Sequence, residues 1–317
     1  MSPTTERHES FPYGIPPHGY RLPGGIRLGP VRLQVADLDR SAEYYRRILG
    51  LRARERPGGR VDLEPQGEAR PLIELHHREG AAPVPKRGRL GLFHFAVLLP
   101  NREALGRLAA HLTREGEPMG ASHHRVSEAL YLRDPDGLGV EVYADRPRSD
   151  WKRDGRQLIM ATDPLDLDEL VRAGGSEPWT GAPEGTTMGH VHLHVGDLRQ
   201  AEAFYHEALG LDKVVWSYPG ALFLSAGGYH HHLGVNTWAR EARPPSQDEA
   251  QLLEWEIRLP STSDVEEVRE SLRSKGYSVE DSDSKIRVRD PWGTALRLLP
   301  QAADQTHTKV GHTDEEG

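Results

Sequence analysis

The chain has 317 residues, enough for two domains with real cores, and a net charge of −8 at pH 7. Its basic residues are scattered, so neither nucleic acid nor an anionic membrane is an expected partner. There is no cysteine, which excludes disulfides, thiolate metal sites and a cysteine nucleophile, and fits a reducing cytoplasm. No apolar run approaches the ~18 residues of a membrane span. The N-terminus has no hydrophobic signal core, so a cytoplasmic protein is expected.

Residues 1–25 are rich in proline, glycine and charge and read as a flexible arm. Val31, Leu33 and Val35 alternate with polar residues, the period of a half-buried strand. Asp37 then caps a helix over 38–49 with apolar positions Tyr44, Tyr45, Ile48 and Leu49, and Gly50 ends it. Short strands over 51–55, 60–63 and 72–76 complete a βαβββ unit. A second unit opens with a strand over 92–99 that contains His94, followed by a helix over 102–115. Its turn Asp134-Pro135-Asp136-Gly137 joins strands over 129–132 and 139–143. Residues 147–186 read as a linker with one short helix over 165–173. A connection of that length points to a wrap or a swap between modules.

The third unit opens with His190-Val191-His192-Leu193-His194-Val195-Gly196-Asp197-Leu198. Its helix ends at Leu209, and strands follow over 213–217, 221–225 and 231–236. The fourth has a strand over 252–259, a helix over 264–275, a strand over 286–289, the turn Asp290-Pro291-Trp292-Gly293 and a strand over 295–299. Residues 301–317 read as a flexible tail. The frame Val31, Leu33, Val35, Asp37, Leu38 returns as Val191, Leu193, Val195, Asp197, Leu198. Both copies lead to Leu-Gly-Leu, at Leu49-Gly50-Leu51 and Leu209-Gly210-Leu211. The chain is therefore an internal repeat. The expected fold class is α+β, with four βαβββ units forming two cup-shaped mixed-sheet modules over 26–146 and 187–300. Each cup has a concave face suited to a ligand.

Histidines are numerous and clustered, as in His76-His77, His123-His124 and His230-His231-His232. The alternation over 190–195 puts His190, His192 and His194 on one face of a strand and Val191, Leu193 and Val195 on the other. A row of imidazoles inside a strand needs a reason, and metal ligation is one.

This arrangement resembles the vicinal oxygen chelate superfamily, which includes glyoxalase I, extradiol ring-cleavage dioxygenases, fosfomycin-resistance enzymes and bleomycin-binding proteins. The repeated Val-x-Leu-x-Val-x-Asp-Leu frame and the two Asp-Pro-x-Gly turns carry the resemblance over about residues 28–300. Within the superfamily it looks most like two-module catechol 2,3-dioxygenase-like proteins. Gly228-Tyr229-His230-His231-His232-Leu233-Gly234 resembles the extradiol His-His-x-Leu motif, which implies His231 as acid/base residue. Tyr131 and Glu141 stand at the spacing of that family's active-site tyrosine and metal-binding glutamate. Phe93-His94-Phe95-Ala96 resembles the strand that supplies a metal-binding histidine.

The sequence also departs from that pattern. The three ligand positions are Pro30, His94 and Glu141 in the first consecutive pair, and His190, Glu254 and Arg297 in the second. Neither is a complete set of two histidines and a carboxylate. Units two and three together supply one: His94, Glu141 and His190. The expectation is a cup built from units two and three, with units one and four paired elsewhere. The fallback is Glu74, His94 and Glu141 within the first pair. Glu254 and Arg297 are then expected to form a buried ion pair.

A site of two imidazoles and one carboxylate suits Fe(II) best, with Mn(II), Ni(II) or Zn(II) as alternatives. The resemblance implies a small aromatic diol and dioxygen as reactants, with Tyr131 hydrogen-bonded to a substrate oxygen. His124, Asn236 and Trp238 are candidate substrate-binding residues, and His192 and His194 read as neighbours or cup lining. A glyoxalase-like isomerase or lyase and a metal-free ligand-binding module are the alternative readings. Homo-oligomerisation is open, since superfamily members that swap units dimerise while four units in one chain allow closure on itself.

Overall fold

The structure, a computed structural model, describes residues 13–301. It contains the four units in order. The first has the strand Val31–Val35, the helix Leu38–Leu49 and the strands Arg52–Arg56, Arg60–Glu64 and Ile73–His77. The second has Gly91–Leu98, the helix Arg102–Glu115, and the strands Gly120–His123, Ser127–Arg133 and Gly139–Asp145. The third has Thr187–His194, a helix that starts at Leu198–Ala201 and widens to π-turns over Glu202–Ala208, and the strands Asp212–Val215, Ala221–Ser225 and Leu233–Asn236. The fourth has Gln251–Leu259, the helix Thr262–Ser274, and the strands Val279–Ser282, Lys285–Arg289 and Ala295–Pro300. Three details differ from expectation. Strands Gly120–His123 and Val279–Ser282 were not foreseen, and His231 lies just before its strand rather than within it.

Local chemistry closes the elements as the sequence implies. The Asp37 carboxylate accepts from the Arg40 N–H at the start of its helix, and Gly50 ends it at φ 65°. Asp134 accepts from the Asp136 and Leu138 backbone N–H groups, which fixes its turn, and from the Tyr45 hydroxyl of the first helix. Asp290 repeats this with Trp292, Thr294 and Tyr205. These buried bonds dock the helix of unit one onto unit two, and that of unit three onto unit four.

The sheets follow a different pairing. Strand Thr187–His194 of unit three lies antiparallel to Gly91–Leu98 of unit two, joining those units in one eight-stranded sheet. Strand Gln251–Leu259 of unit four lies antiparallel to Val31–Val35 of unit one in a nine-stranded sheet. Each opening strand would otherwise be an exposed edge, and pairing satisfies its backbone groups. Apolar faces of both sheets and the helices meet in one continuous core that includes Tyr45, Phe95, Leu193, Phe204 and Trp255.

The stretch expected to be an arm is tied down over its described part, residues 13–25. Ile15 bridges Lys213, Arg21 forms a two-pronged pair with Asp212 at 2.6 and 2.8 Å, and Leu22 is buried. Residues 1–12 and the tail beyond Gln301 lie outside the described residues. The connection 147–186 carries the expected short helix, as Leu167–Ala173, and also a small hairpin of Arg153–Asp154 with Gln157–Leu158.

Candidate metal centre

The sheet of units two and three brings His94, Glu141 and His190 together. Backbone register explains how. His190 pairs with Ala96 across one ladder, Ala96 with Glu141 across the next, and Glu141 with Tyr131 across a third. One row thus crosses four strands on one face, with the small Ala96 side chain at its centre. His192 faces His94 in the neighbouring row. The rings of His94 and His190 are 5.5 Å apart. All three residues are buried.

The donor atoms converge as ligands to one ion would. His94 Nε2 lies 3.0 Å and His190 Nε2 3.3 Å from the same Glu141 oxygen, and one ligand atom from each residue lies within 4.8 Å of the others. Adjacent donors on an octahedral ion with ~2.1 Å bonds sit about 3 Å apart. His94 Nε2 is buried and forms no well-aligned hydrogen bond although the Glu141 oxygen is 3.0 Å away, as two ligands aimed at a common point would. The residues present therefore fit a divalent metal. Nδ1 of His190 also has no hydrogen-bond partner, so this ring is held by packing against Tyr143 and His231.

Protonation states suit ligation. Burial disfavours the ionised form of Glu141, but His190 and His94 outweigh it and hold its carboxyl well below the usual carboxylate range. Burial pushes His190 down to about 4, against the pull of Glu141. Imidazole ligates in its neutral form, so as ligands the two histidines and the carboxylate would together carry one negative charge.

These groups open onto a cavity of about 260 Å³ whose wall also includes Tyr131, His124, His231, Phe93, Phe223 and Trp238. Its hydrogen bonds fix several roles. The Ala161 carbonyl lies 2.6 Å from His124 Nδ1, so that nitrogen carries the proton and Nε2 is an acceptor. The Tyr131 hydroxyl, 2.5 Å from Nε2, donates to it when the His124 ring is neutral, and Glu141 is its other polar neighbour. Burial, with Glu141 next, raises the Tyr131 phenol well above its ordinary value, so it holds its proton. Burial, helped by His190 and His230, pushes His231 well down, which leaves its ring neutral.

Two expectations are corrected. Asn236 is fully buried beneath the wall and is not part of it. Its amide bridges His192 and His194, accepting from His194 Nδ1 at 2.7 Å and donating to His192 Nε2 at 3.0 Å. It orders the imidazole row instead of meeting a ligand. Trp238 and His124 do line the cavity, and so does His192. His194 sits beside Phe93 at the cup's edge, and is not part of the cavity wall. The fallback set fails because Glu74 belongs to the other sheet, where Arg32 holds it at 2.6 Å. Sequence reading also missed the roles of Ala96, His230 and Asp145, and the linker residues 160–162 in the cavity wall. Only Ala96 had a signal, as the small residue two places after His94.

The other sheet curls around a larger hollow of about 870 Å³ with different chemistry. At the equivalent positions Glu254 accepts from Arg32 at 2.6 Å and faces Arg297 at 3.5 Å, while Arg297 also binds the buried Glu256. Ion pairs occupy this cup where the first has ligands. Among the described residues, His94, Glu141 and His190 form the one group arranged to hold a metal.

Comparison with known proteins agrees with this architecture. The profile of the Glyoxalase/Bleomycin resistance protein/Dioxygenase superfamily matches residues 27–142 and 187–298. The chain belongs to this superfamily. A catechol-2,3-dioxygenase of Bacillus subtilis (strain 168) is 41% identical over 268 residues, covering 83% of this chain and 93% of that protein. A solved structure from Bacillus subtilis subsp. subtilis str. 168, described as a candidate dioxygenase, superposes with a TM-score of 0.60 at 16% identity, over 89% of this chain and 86% of that one. Glyoxalase I from Zea mays gives 0.51 at 17% identity, over 87% and 92%. The superfamily chain described here thus shares its fold with both branches. No helix among the described residues is long and apolar enough to cross a membrane.

Proposed function

We propose that this protein is an extradiol-type ring-cleavage dioxygenase acting on a small catechol-like aromatic, with Fe(II) held by His94, Glu141 and His190. The convergence of two imidazoles and a carboxylate on one cavity wall, beside His231 and Tyr131, carries the reading. The name of the 41% identical relative supports it. Such an iron, when bound, supplies electrons and adjacent open positions for a diol and dioxygen.

The chain's own groups supply the rest. Tyr131 presents a phenol oxygen, its proton committed to His124, to a substrate hydroxyl. His231 is neutral and can take a proton from the diol. Phe93, Phe223 and Trp238 confine an aromatic ring by edge and face contacts. The cavity is below the ~300–1,000 Å³ usual for ligand sites, which favours a single ring over a biaryl. The glyoxalase-like reading leaned on Glu74, and that residue's pairing with Arg32 weakens it.

Metal analysis of anaerobically purified protein, with oxygen uptake on adding catechol, tests the proposal. Near-stoichiometric iron with uptake is expected, and His190→Ala should abolish both. Protein that takes up neither Fe(II) nor Mn(II) would point to a binding module. Bound metal without uptake on catechol or its alkyl derivatives would overturn the dioxygenase reading.

A further inference from the structure

Behind His231 lies a hydrogen-bonded chain that leaves the cavity. His231 Nδ1 is 2.7 Å from His230 Nδ1. His230 Nε2 is 2.8 Å from Asp145 Oδ1. The same carboxylate oxygen accepts from the Tyr229 hydroxyl at 3.2 Å, and the Tyr143 hydroxyl is 2.6 Å from that of Tyr229. His230 has no solvent exposure and packs against Trp151, Tyr143 and Tyr229. Asp145 is the last residue of the strand that carries Glu141, and its side chain is partly open to solvent.

With both rings neutral, donor and acceptor counting fixes every proton in this chain. A carboxylate oxygen only accepts, so His230 Nε2 must carry a hydrogen. Neutral His230 then has a bare Nδ1. The short contact to His231 requires one hydrogen between two nitrogens, so His231 Nδ1 donates it. Neutral His231 is left with a bare Nε2, the one nitrogen not engaged by His230 on a ring that lines the cavity. With both rings neutral, the opposite tautomer would place two bare nitrogens, or two N–H groups, against each other at 2.7 Å. The one other arrangement that satisfies both contacts is a doubly protonated His230 donating to Asp145 and to His231 Nδ1, and it would put the hydrogen of His231 on Nε2.

We propose that Asp145, acting through His230, is a positioning residue that holds His231 in the tautomer with a free, proton-accepting Nε2. The use of that nitrogen rests on the dioxygenase reading: a substrate O–H bond breaks, an Nε2–H bond forms, and the electron pair stays on the substrate oxygen. The tautomer itself does not depend on that reading.

Asp145→Asn makes the test. Its amide N–H₂ can donate to His230 Nε2, which reverses each donor and leaves His231 with a protonated Nε2. Long-range ¹H–¹⁵N correlation spectra of the full chain, freed of paramagnetic metal, report which nitrogen of each ring is bare; His231→Gln assigns the resonances. Wild-type protein should show His231 protonated at Nδ1. Asp145→Asn should shift it to Nε2, and Asp145→Glu should keep the wild-type pattern. In oxygen uptake with catechol, Asp145→Asn should lower kcat about 10- to 100-fold, the range found for outer partners of active groups, with KM little changed. Asp145→Glu should restore most of it. A wild-type His231 protonated at Nε2 overturns the proposal even if no variant folds. So does a tautomer that is unchanged in Asp145→Leu, which removes the acceptor of His230 Nε2 altogether. The expected tautomers in a protein without oxygen uptake would uphold this inference and sink the dioxygenase reading instead.

Discussion

His232 illustrates how one side chain sets a pH limit. Its Nδ1 accepts from the Ala226 backbone N–H at 3.3 Å and lies 3.0 Å from the Ser225 hydroxyl, so the ring is held neutral. Burial first, then His230 and His190, pushes it from 6.5 down to about 3. The unfolded chain therefore binds a proton that the native one refuses between these values. The stabilisation is complete above about pH 6.5 and is lost as pH falls towards 3, by up to about 1.4 kcal/mol per pH unit. Urea midpoints at pH 7.5 and 5 should show wild-type protein losing more stability than His232→Gln. Equal losses would mean that His232 titrates freely in the fold. At this scale the sequence was legible where chemistry follows a repeat. His94, Glu141 and His190 occupy matched positions of repeated strands, so comparing units exposed them. The partners that orient side chains were not legible. Ala161 meets His124 across 37 positions and Asp145 meets His230 across 85, and no local period encodes such contacts.

Strands and helices were read well where one face is buried and one wet, because alternation then marks the element. Strands Gly120–His123 and Val279–Ser282 escaped because they are edge strands without an apolar stripe: the one buried residue of the first is the polar Ser122, and the second is largely exposed. The ladder between Gly91–Leu98 and Gly139–Asp145 matters most for the site, since it sets His94 beside Glu141. The second of these strands begins at Gly139, one residue before the first ladder pair, and a Cβ there would fall 2.1 Å from the Phe93 carbonyl oxygen and 3.1 Å from the Cβ of His94. A backbone oxygen cannot step aside without moving the strand. Gly139→Ala should therefore cost about 1–3 kcal/mol, as overpacking does, and weaken metal binding as well. Gly120→Ala in the same sheet meets nothing closer than 3.5 Å and should change stability by under about 0.5 kcal/mol. Chemical denaturation and metal titration of both variants decide it. A Gly139→Ala protein as stable and as tight-binding as wild type would show that the ladder tolerates splaying and does not fix the ligand geometry.

The four units form a closed ring of contacts. Units one and two join through helix and turn, by Tyr45 with Asp134 and by Arg40 with Asp136. Units two and three join through the sheet that carries the candidate metal centre. Units three and four repeat the helix contact with Tyr205 and Asp290, and four returns to one through the second sheet. Each unit thus depends on two neighbours by two different kinds of bond, and one apolar core runs through all four. The pairing of two with three was readable because only that pair completes a ligand set. The helix contacts that close the ring were not, since the buried Tyr–Asp bonds look like ordinary helix and turn residues in sequence. A ring of this kind has no seam at which half of it could unfold alone. Calorimetry should give a single transition, with van't Hoff and calorimetric enthalpies equal. An ion bound at His94, Glu141 and His190 favours only the native state, so a saturating divalent metal should raise the whole transition rather than part of it. Two peaks, of which only one moved with metal, would show that the two sheets are separate cooperative units and that the helix contacts between them contribute little.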